Sequence, residues 1–429
     1  MNARAIETVR GRRIWDSRGR PTVEVDVVLA GGAAGRAIAP AGASTGSGEA
    51  VDLRDGGAAF GGHDVTQAVA AVNGPIAAAL AGVDAVDQAA ADARLIEADG
   101  TDDRRRLGGN ALVATSMAVA HAAAAAAGAP LWRHLAGDRD AVLPLPEIQI
   151  LGGGAHAGRR VDIQDYMVIA TGAADYAQAL DWTAEVYRAA GGLLAEEGRL
   201  QGVADEGGFW PAFDTNEEGL ALLVRAIERA GLEPGAEVAI SLDVAASEFG
   251  RGGRYRLARE DRDLDSDGLA ELLIGWIERY PIVAIEDPLG EDDDEGLARF
   301  TAAVGDRVEI IGDDFLVTNA ARVAAAARQG ACNAVLIKPN QAGTLSEAKA
   351  AVDAARAAGF GAIVSARSGE TEDVTIVHLA VGWGVPQLKV GSFTRSERMA
   401  KWNEGLRIAE VLGGALPAPT AFTWAENLG

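Results

Sequence analysis

Lysine is scarce in this chain: there are four, Lys338, Lys349, Lys389 and Lys401, among 39 basic residues. Two of them, Lys338 and Lys389, close short apolar runs that read as β-strands. Arginine keeps its proton at any usable pH, whereas a partly buried lysine can be tuned to act as a base. Similar runs end on Asp243, on Glu286 and Asp287, on Asp313 and Asp314, and on Arg367 and Ser368, each followed by a loop. Asp243, Glu286 and Asp313 make an all-oxygen set from three successive runs, suited to a hard cation such as magnesium, and the absence of His and Cys from it disfavours zinc. Three acids brought together would raise one another's pKa, so a metal ion or the neighbouring cations must balance them. One such acid often does no more than cap the next helix. Three in succession, followed by two lysines and an arginine, favour a metal site. A divalent ion beside a lysine suits removal of a proton next to a substrate carboxylate, because the ion stabilises the negative charge of the resulting enediolate.

These residues need a scaffold that points them one way. The runs 238–243, 282–285, 308–311, 334–337, 362–365 and 387–388 alternate with helical segments, and Gly330 and Gly359 stand where helices should stop. Between the first two, Leu269, Leu272, Leu273, Trp276 and Ile277 recur at helical spacing behind Ser266, which predicts a helix capped by that serine. Repeated βα units build a barrel or an open doubly wound sheet. With no further helix or linker evident inside the series, the barrel is favoured. In a barrel the C-terminal strand ends share one face, where the charges above would meet. The first hundred-odd residues read differently, as β-prone stretches at 3–14, 22–30 and 34–39 separated by Gly-rich turns, then Ala-rich helices from about 65 to 135. The expected fold class is α/β: an N-terminal α+β capping domain, residues 1–135, and a C-terminal (β/α) TIM-type barrel, residues 136–429.

Composition bounds the partners. A formal charge of −23 repels phosphate backbones and anionic lipid, so neither nucleic acid nor a membrane surface is an expected partner. Hydrophobic residues at 48% and charged residues at 24% exclude disordered and disulfide-scaffold classes. The single Cys332 cannot pair within the chain, and the opening residues carry no apolar signal region, which predicts a cytoplasmic protein. The stretch 111–131 is long and Ala-rich, but Thr115, Ser116, His121 and the weak hydrophobicity of alanine favour a buried helix over a membrane span.

Ordered motifs run along nearly the whole chain: DSRGRPT at 16–22, GASTG at 42–46, DEGG at 205–208, SLDVAASEF at 241–249, IEDP at 285–288, GDD at 312–314, IKPNQAGTLSE at 337–347, RSGETED at 367–373 and RSERMAKWN at 395–403. In these the chain resembles the enolase family, whose superfamily is itself the standard case of a Lys or His base paired with magnesium. Carried over by position, the resemblance implies Asp243, Glu286 and Asp313 as ligands of a first Mg2+, with Ser44 on a mobile Gly-rich loop closing over a second. Lys338 would take the C2 proton, and Glu206 would help protonate the leaving C3 hydroxyl. Arg367 and Ser368 would hold the phosphate, Lys389 would neutralise the substrate carboxylate, and His156, Gln164 and Asp165 would complete the substrate site. A lone loop histidine is more often just hydrogen-bonded than functional, and only its motif GGGAHAG singles out His156. The implied reaction interconverts 2-phosphoglycerate and phosphoenolpyruvate, the glycolytic step, in a homodimer or a higher assembly of dimers.

Several positions depart from the family pattern. Ala366 stands where the family has His, Asp165 where it usually has Glu, and Trp210 follows the DEGG motif; Ala41, Ala155 and Val390 also differ. These lie beside substrate-facing motifs, while the proposed metal ligands and both lysines remain. The alternative they raise is an enolase-like enzyme acting on a phosphonate analogue in natural-product biosynthesis, as carboxyphosphonoenolpyruvate synthases do. A non-catalytic scaffold would have lost a metal ligand or the base, and neither is lost.

Overall fold

The computed structural model describes residues 2–210, 212–418 and 422; the remainder of the barrel domain's expected C-terminal end lies outside them. Strands β1 (Ile6–Trp15), β2 (Pro21–Leu29) and β3 (Ala34–Ile38) form an antiparallel meander. Its first turn is made by Asp16, whose carboxylate accepts from the backbone N–H of Arg18 (2.9 Å) and Arg20 (2.8 Å), with Gly19 at φ 70°. The helix Gly109–Ala126 lies on β2 and β3. Its alanines let helix and strand backbones approach so closely that a Cβ at Gly35 would sit 2.2 Å from the Ala118 carbonyl oxygen. By length and composition this helix is apolar enough to cross a membrane, yet 83% of it is buried inside the protein. It is a core helix, as its polar residues led us to expect.

The C-terminal part is a closed eight-stranded barrel. Its strands are β4 (Leu145–Gly152), β5 (Asp165–Ile169), β6 (Ala239–Asp243) and, after an excursion described below, β10 (Ile282–Glu286), β11 (Glu309–Gly312), β12 (Ala334–Ile337), β13 (Gly361–Ser365) and β14 (Gln387–Ser392). The barrel is not all parallel: β5 runs antiparallel to both β4 and β6, while the other pairs are parallel. Because β5 is reversed, its first residue, Asp165, lies at the open face and pairs in register with Asp243, the last residue of β6. The expectation of an uninterrupted βα series is also corrected. Between β6 and the following helix lies a small antiparallel sheet, β7 (Gly250–Arg251), β8 (Arg254–Leu257) and β9 (Arg262–Asp265), which accounts for the long interval from Asp243 to Glu286. The helix Ser266–Arg279 is capped by Asp265, whose carboxylate accepts from Gly268 N–H at 2.9 Å. Ser266 is its first helical residue and donates its hydroxyl to Asp293 at 2.5 Å. Gly330 and Gly359 do end helices, in the left-handed conformation that glycine adopts without a steric cost.

The two parts meet at the barrel's open face. Ala41 and Gly369 exchange backbone hydrogen bonds of 2.9 Å, and Arg18 donates to the carbonyls of Ala41 (2.9 Å) and Gly42 (3.3 Å) and to the Ser368 hydroxyl (3.3 Å). The first turn of the N-terminal domain thus braces the loop that follows β13.

Candidate active site

The charged strand ends do converge. Asp243, Lys338, Arg367, Ser368 and Lys389 line a small cavity at the open face, with the loop Gly42–Ser44 along one side, while Glu286 and Asp313 are tied to its two lysines. Lys389 on β14 donates to Glu286 Oε2 at 2.7 Å and Asp243 Oδ2 at 3.0 Å, and lies 3.7 Å from Asp165 Oδ2. Lys338, just past β12, pairs instead with Asp313 at the end of β11. The three acids are therefore divided between two lysines: Asp243 and Glu286 share one and Asp313 takes the other. Asp243 also accepts from Gln164 Nε2 at 3.0 Å, and Asp313 from Gln341 Nε2 at 2.8 Å.

Burial and neighbouring charge set the protonation of this cluster. Burial pushes both lysines down, but Asp313 together with Glu286 outweighs it for Lys338, and Asp243, Glu286, Asp165 and Glu147 together outweigh it for Lys389, so both stand above the ordinary lysine value. Glu286 is driven well above the usual carboxylate range by burial and then by Asp243. Asp313 is likewise desolvated, yet Lys338 and Arg367 hold it below its ordinary value.

A second group lines the same cavity. His156, on a short 3-10 turn, places Nδ1 3.1 Å from Asp165 Oδ1 and Nε2 4.0 Å from Glu206 Oε1. Burial alone would lower this imidazole; Asp165 and Glu206 overcome it and raise it to about 9. In return His156 and Lys389, against burial, hold Asp165 down to about 2. The shortened carboxylate is thus well occupied: it also receives the Gln149 side-chain amide, whose oxygen accepts Gly208 N–H at 2.8 Å and so ties β4 to the DEGG loop.

Arg367 and Ser368, beyond β13, line the remaining wall with Ala366 and Val390. The Arg398 guanidinium holds their backbone by donating to the Arg367 and Ser368 carbonyls, both at 2.6 Å. Ser44 contributes its carbonyl, which accepts from Arg367 at 2.9 Å. Trp210 points elsewhere, with its ring against Gly158, where a Cβ would sit 3.1 Å away. It is not a wall of this cavity, whereas Ala366 is.

Among the described residues, two sets of possible metal-ligating side chains bring their atoms within 4.8 Å of one another as threes, His156 with Asp165 and Glu206, and Asp287 with Asp313 and Asp314; the trio Asp243, Glu286 and Asp313 is not among them. The second set is an internal clamp. Both Asp287 oxygens are spent on the backbone N–H groups of Asp313 (2.9 Å) and Asp314 (2.8 Å), which fixes the loop after β11. The donors left to meet a cation are Glu286 Oε1 and Gln164 Oε1, buried oxygens without a hydrogen-bond partner among the described residues, beside Asp243. An all-oxygen set with an unsatisfied carboxylate oxygen fits a hard divalent ion.

Sequence reasoning named the charged groups but not their supports. Gln341 and Asn340 stand inside the quoted motif IKPNQAGTLSE, and Arg398 inside RSERMAKWN, so position in a long motif was the available signal. Gln149 and Glu49 carried none.

The comparisons with known proteins agree with this architecture. The family model described as "Enolase, N-terminal domain" matches residues 6–135, and "Enolase, C-terminal TIM barrel domain" matches residues 140–419. The chain is similar to the protein named "Enolase" of Rubrobacter xylanophilus, with 49% identity over 415 residues, covering 96% of each chain.

Proposed function

We propose that this chain, which belongs to the enolase family and is a carbon–oxygen hydro-lyase of the phosphopyruvate hydratase type, dehydrates 2-phosphoglycerate to phosphoenolpyruvate with Mg2+ and Lys338 as the base. The observation that carries this reading is the meeting of Lys338, Arg367 and Lys389 around one cavity whose rim also holds Asp243 and Glu206. Identity with an enolase across nearly all of both chains favours 2-phosphoglycerate over the phosphonate analogue.

Asp243, Glu286 and Asp313 would hold one Mg2+, and Ser44 would join a second. A divalent ion there supplies positive charge to the substrate carboxylate as the adjacent carbon loses its proton. Lys338 must be neutral to accept that proton. Asp313, with Glu286 behind it, keeps it charged against burial; once a cation engages both carboxylates, burial, Arg367 and Lys389 are left, and all three lower Lys338. Lys389 neutralises the substrate carboxylate, and Arg367 with Ser368 holds the phosphate, where the planar guanidinium matches paired oxyanion acceptors. Glu206 delivers a proton to the departing C3 hydroxyl. His156, kept protonated at neutral pH by Asp165 and Glu206, adds positive charge beside the substrate, and Gln164 orients Asp243. We further propose a cytoplasmic homodimer or assembly of dimers.

Purified protein supplied with Mg2+ and 2-phosphoglycerate should show growing ultraviolet absorbance from the enol product. Absence of that signal, with proton exchange at C2 intact, would shift the assignment to another substrate of the same site.

A further inference from the structure

Glu49 has no role in the scheme above, yet it is the partner that Arg367 grips most fully. The pair is bidentate, with Arg367 NH1 2.9 Å from Oε2 and NH2 3.1 Å from Oε1, and both side chains are more than nine-tenths buried. NH1 also donates to Asn340 Oδ1 at 3.1 Å and NH2 to the Ser44 carbonyl at 2.9 Å. All four terminal N–H hydrogens of the guanidinium therefore already face protein acceptors. Glu49 Oε1 is anchored in turn by Gly46 N–H (3.1 Å) and Gln341 Nε2 (3.2 Å). Gly42 closes over the same guanidinium so tightly that a Cβ there would lie 2.0 Å from NH2.

A guanidinium held this way is not an open anion receptor. An incoming oxyanion must take N–H hydrogens away from Ser44, Asn340 or Glu49, and it competes with a carboxylate already in place. A monoanion gains roughly what the displaced contact loses, whereas a dianion doubles the charge product at the same distance. Phosphoryl oxygens also match the paired N–H donors of the fork.

We propose that Glu49 is a specificity-determining residue, an internal carboxylate that sets a charge threshold at Arg367 so that doubly charged phosphoryl groups are captured and singly charged anions are not. The inference depends on the reading of Arg367 as the phosphate-holding residue.

The test compares competitive inhibition of the Mg2+-loaded full-length enzyme by inorganic phosphate at pH 8, where it is a dianion, and by nitrate, a monoanion. The wild type should bind phosphate at least about ten-fold more tightly than nitrate. Glu49→Gln, checked for a retained cooperative unfolding transition, should bind nitrate at least about three-fold better than the wild type does. Glu49→Asp keeps the charge but is one methylene too short to hold both nitrogens, and should give an intermediate nitrate affinity; it serves as the variant to read if Glu49→Gln does not fold. An unchanged nitrate affinity in whichever variant folds overturns the role of Glu49. Arg367→Gln separates the two readings: loss of phosphate inhibition is expected, and retention would overturn the assignment of Arg367 itself and the threshold with it.

Discussion

Replacing Lys389 with methionine removes the one cation that Asp243 and Glu286 share while retaining an unbranched stem of similar volume. The ammonium lies 2.7 Å from Glu286 and 3.0 Å from Asp243, with Asp165 at 3.7 Å, all of them buried. At an effective dielectric of about 20, two unit charges about 3 Å apart interact by roughly 5 kcal/mol. Desolvation offsets much of that in the intact pair, but deleting one partner leaves the other charges buried and uncompensated, which costs about 3–5 kcal/mol. Urea unfolding without metal should show a loss of that size. Saturating Mg2+ should narrow the gap, because an ion held by the same acids binds more tightly once the competing ammonium is gone, and at about 100-fold excess over Kd it adds roughly 2.7 kcal/mol of native-state stability. A gap of equal size with and without Mg2+ would show that these acids do not hold the ion.

Two other consequences can be checked separately. The His156 imidazole, raised to about 9 by Asp165 and Glu206, contributes stability that is complete below its ordinary pKa of about 6.5 and is lost as pH rises through about 9. An NMR titration should find one of the five histidines with that midpoint, lowered by Asp165→Asn; no histidine titrating above about 8 would contradict the pairing. Asp287→Ala strips the acceptor from two buried backbone N–H groups, which should cost about 1–3 kcal/mol for each group left unsatisfied and weaken Mg2+ affinity measured by calorimetry. An affinity within about two-fold of wild type would mean that the loop after β11 holds its shape without the clamp.

What could be read from the sequence followed the physics that is local. Strands β6 and β10 to β14 were legible because each is a short buried run that ends on a charge, and the barrel gathers such ends at one face. Strand β5 was not, because it is reversed. Its charged residue, Asp165, begins the run instead of ending it, and only tertiary pairing with β4 and β6 gives the direction. The sheet β7 to β9 hid in the one long interval of an otherwise regular series. The misplaced helix cap is a difference of one residue between adjacent Asp265 and Ser266, two good capping types that periodicity cannot separate. At the site, the charged groups showed themselves, but the division of three acids between two lysines, the clamp at Asp287 and the grip of Glu49 on Arg367 depend on contacts between residues far apart in the chain.

The central claim is that Lys338 removes the C2 proton at a site whose acids hold the metal independently of it. The direct measurement is solvent-deuterium exchange at C2 of 2-phosphoglycerate with Lys338→Ala, alongside Mg2+ binding by calorimetry. Exchange should fall by at least about 10²- to 10⁴-fold, equivalent to roughly 3–5 kcal/mol in the barrier, with the ion still bound. Exchange within about ten-fold of wild type would contradict the account.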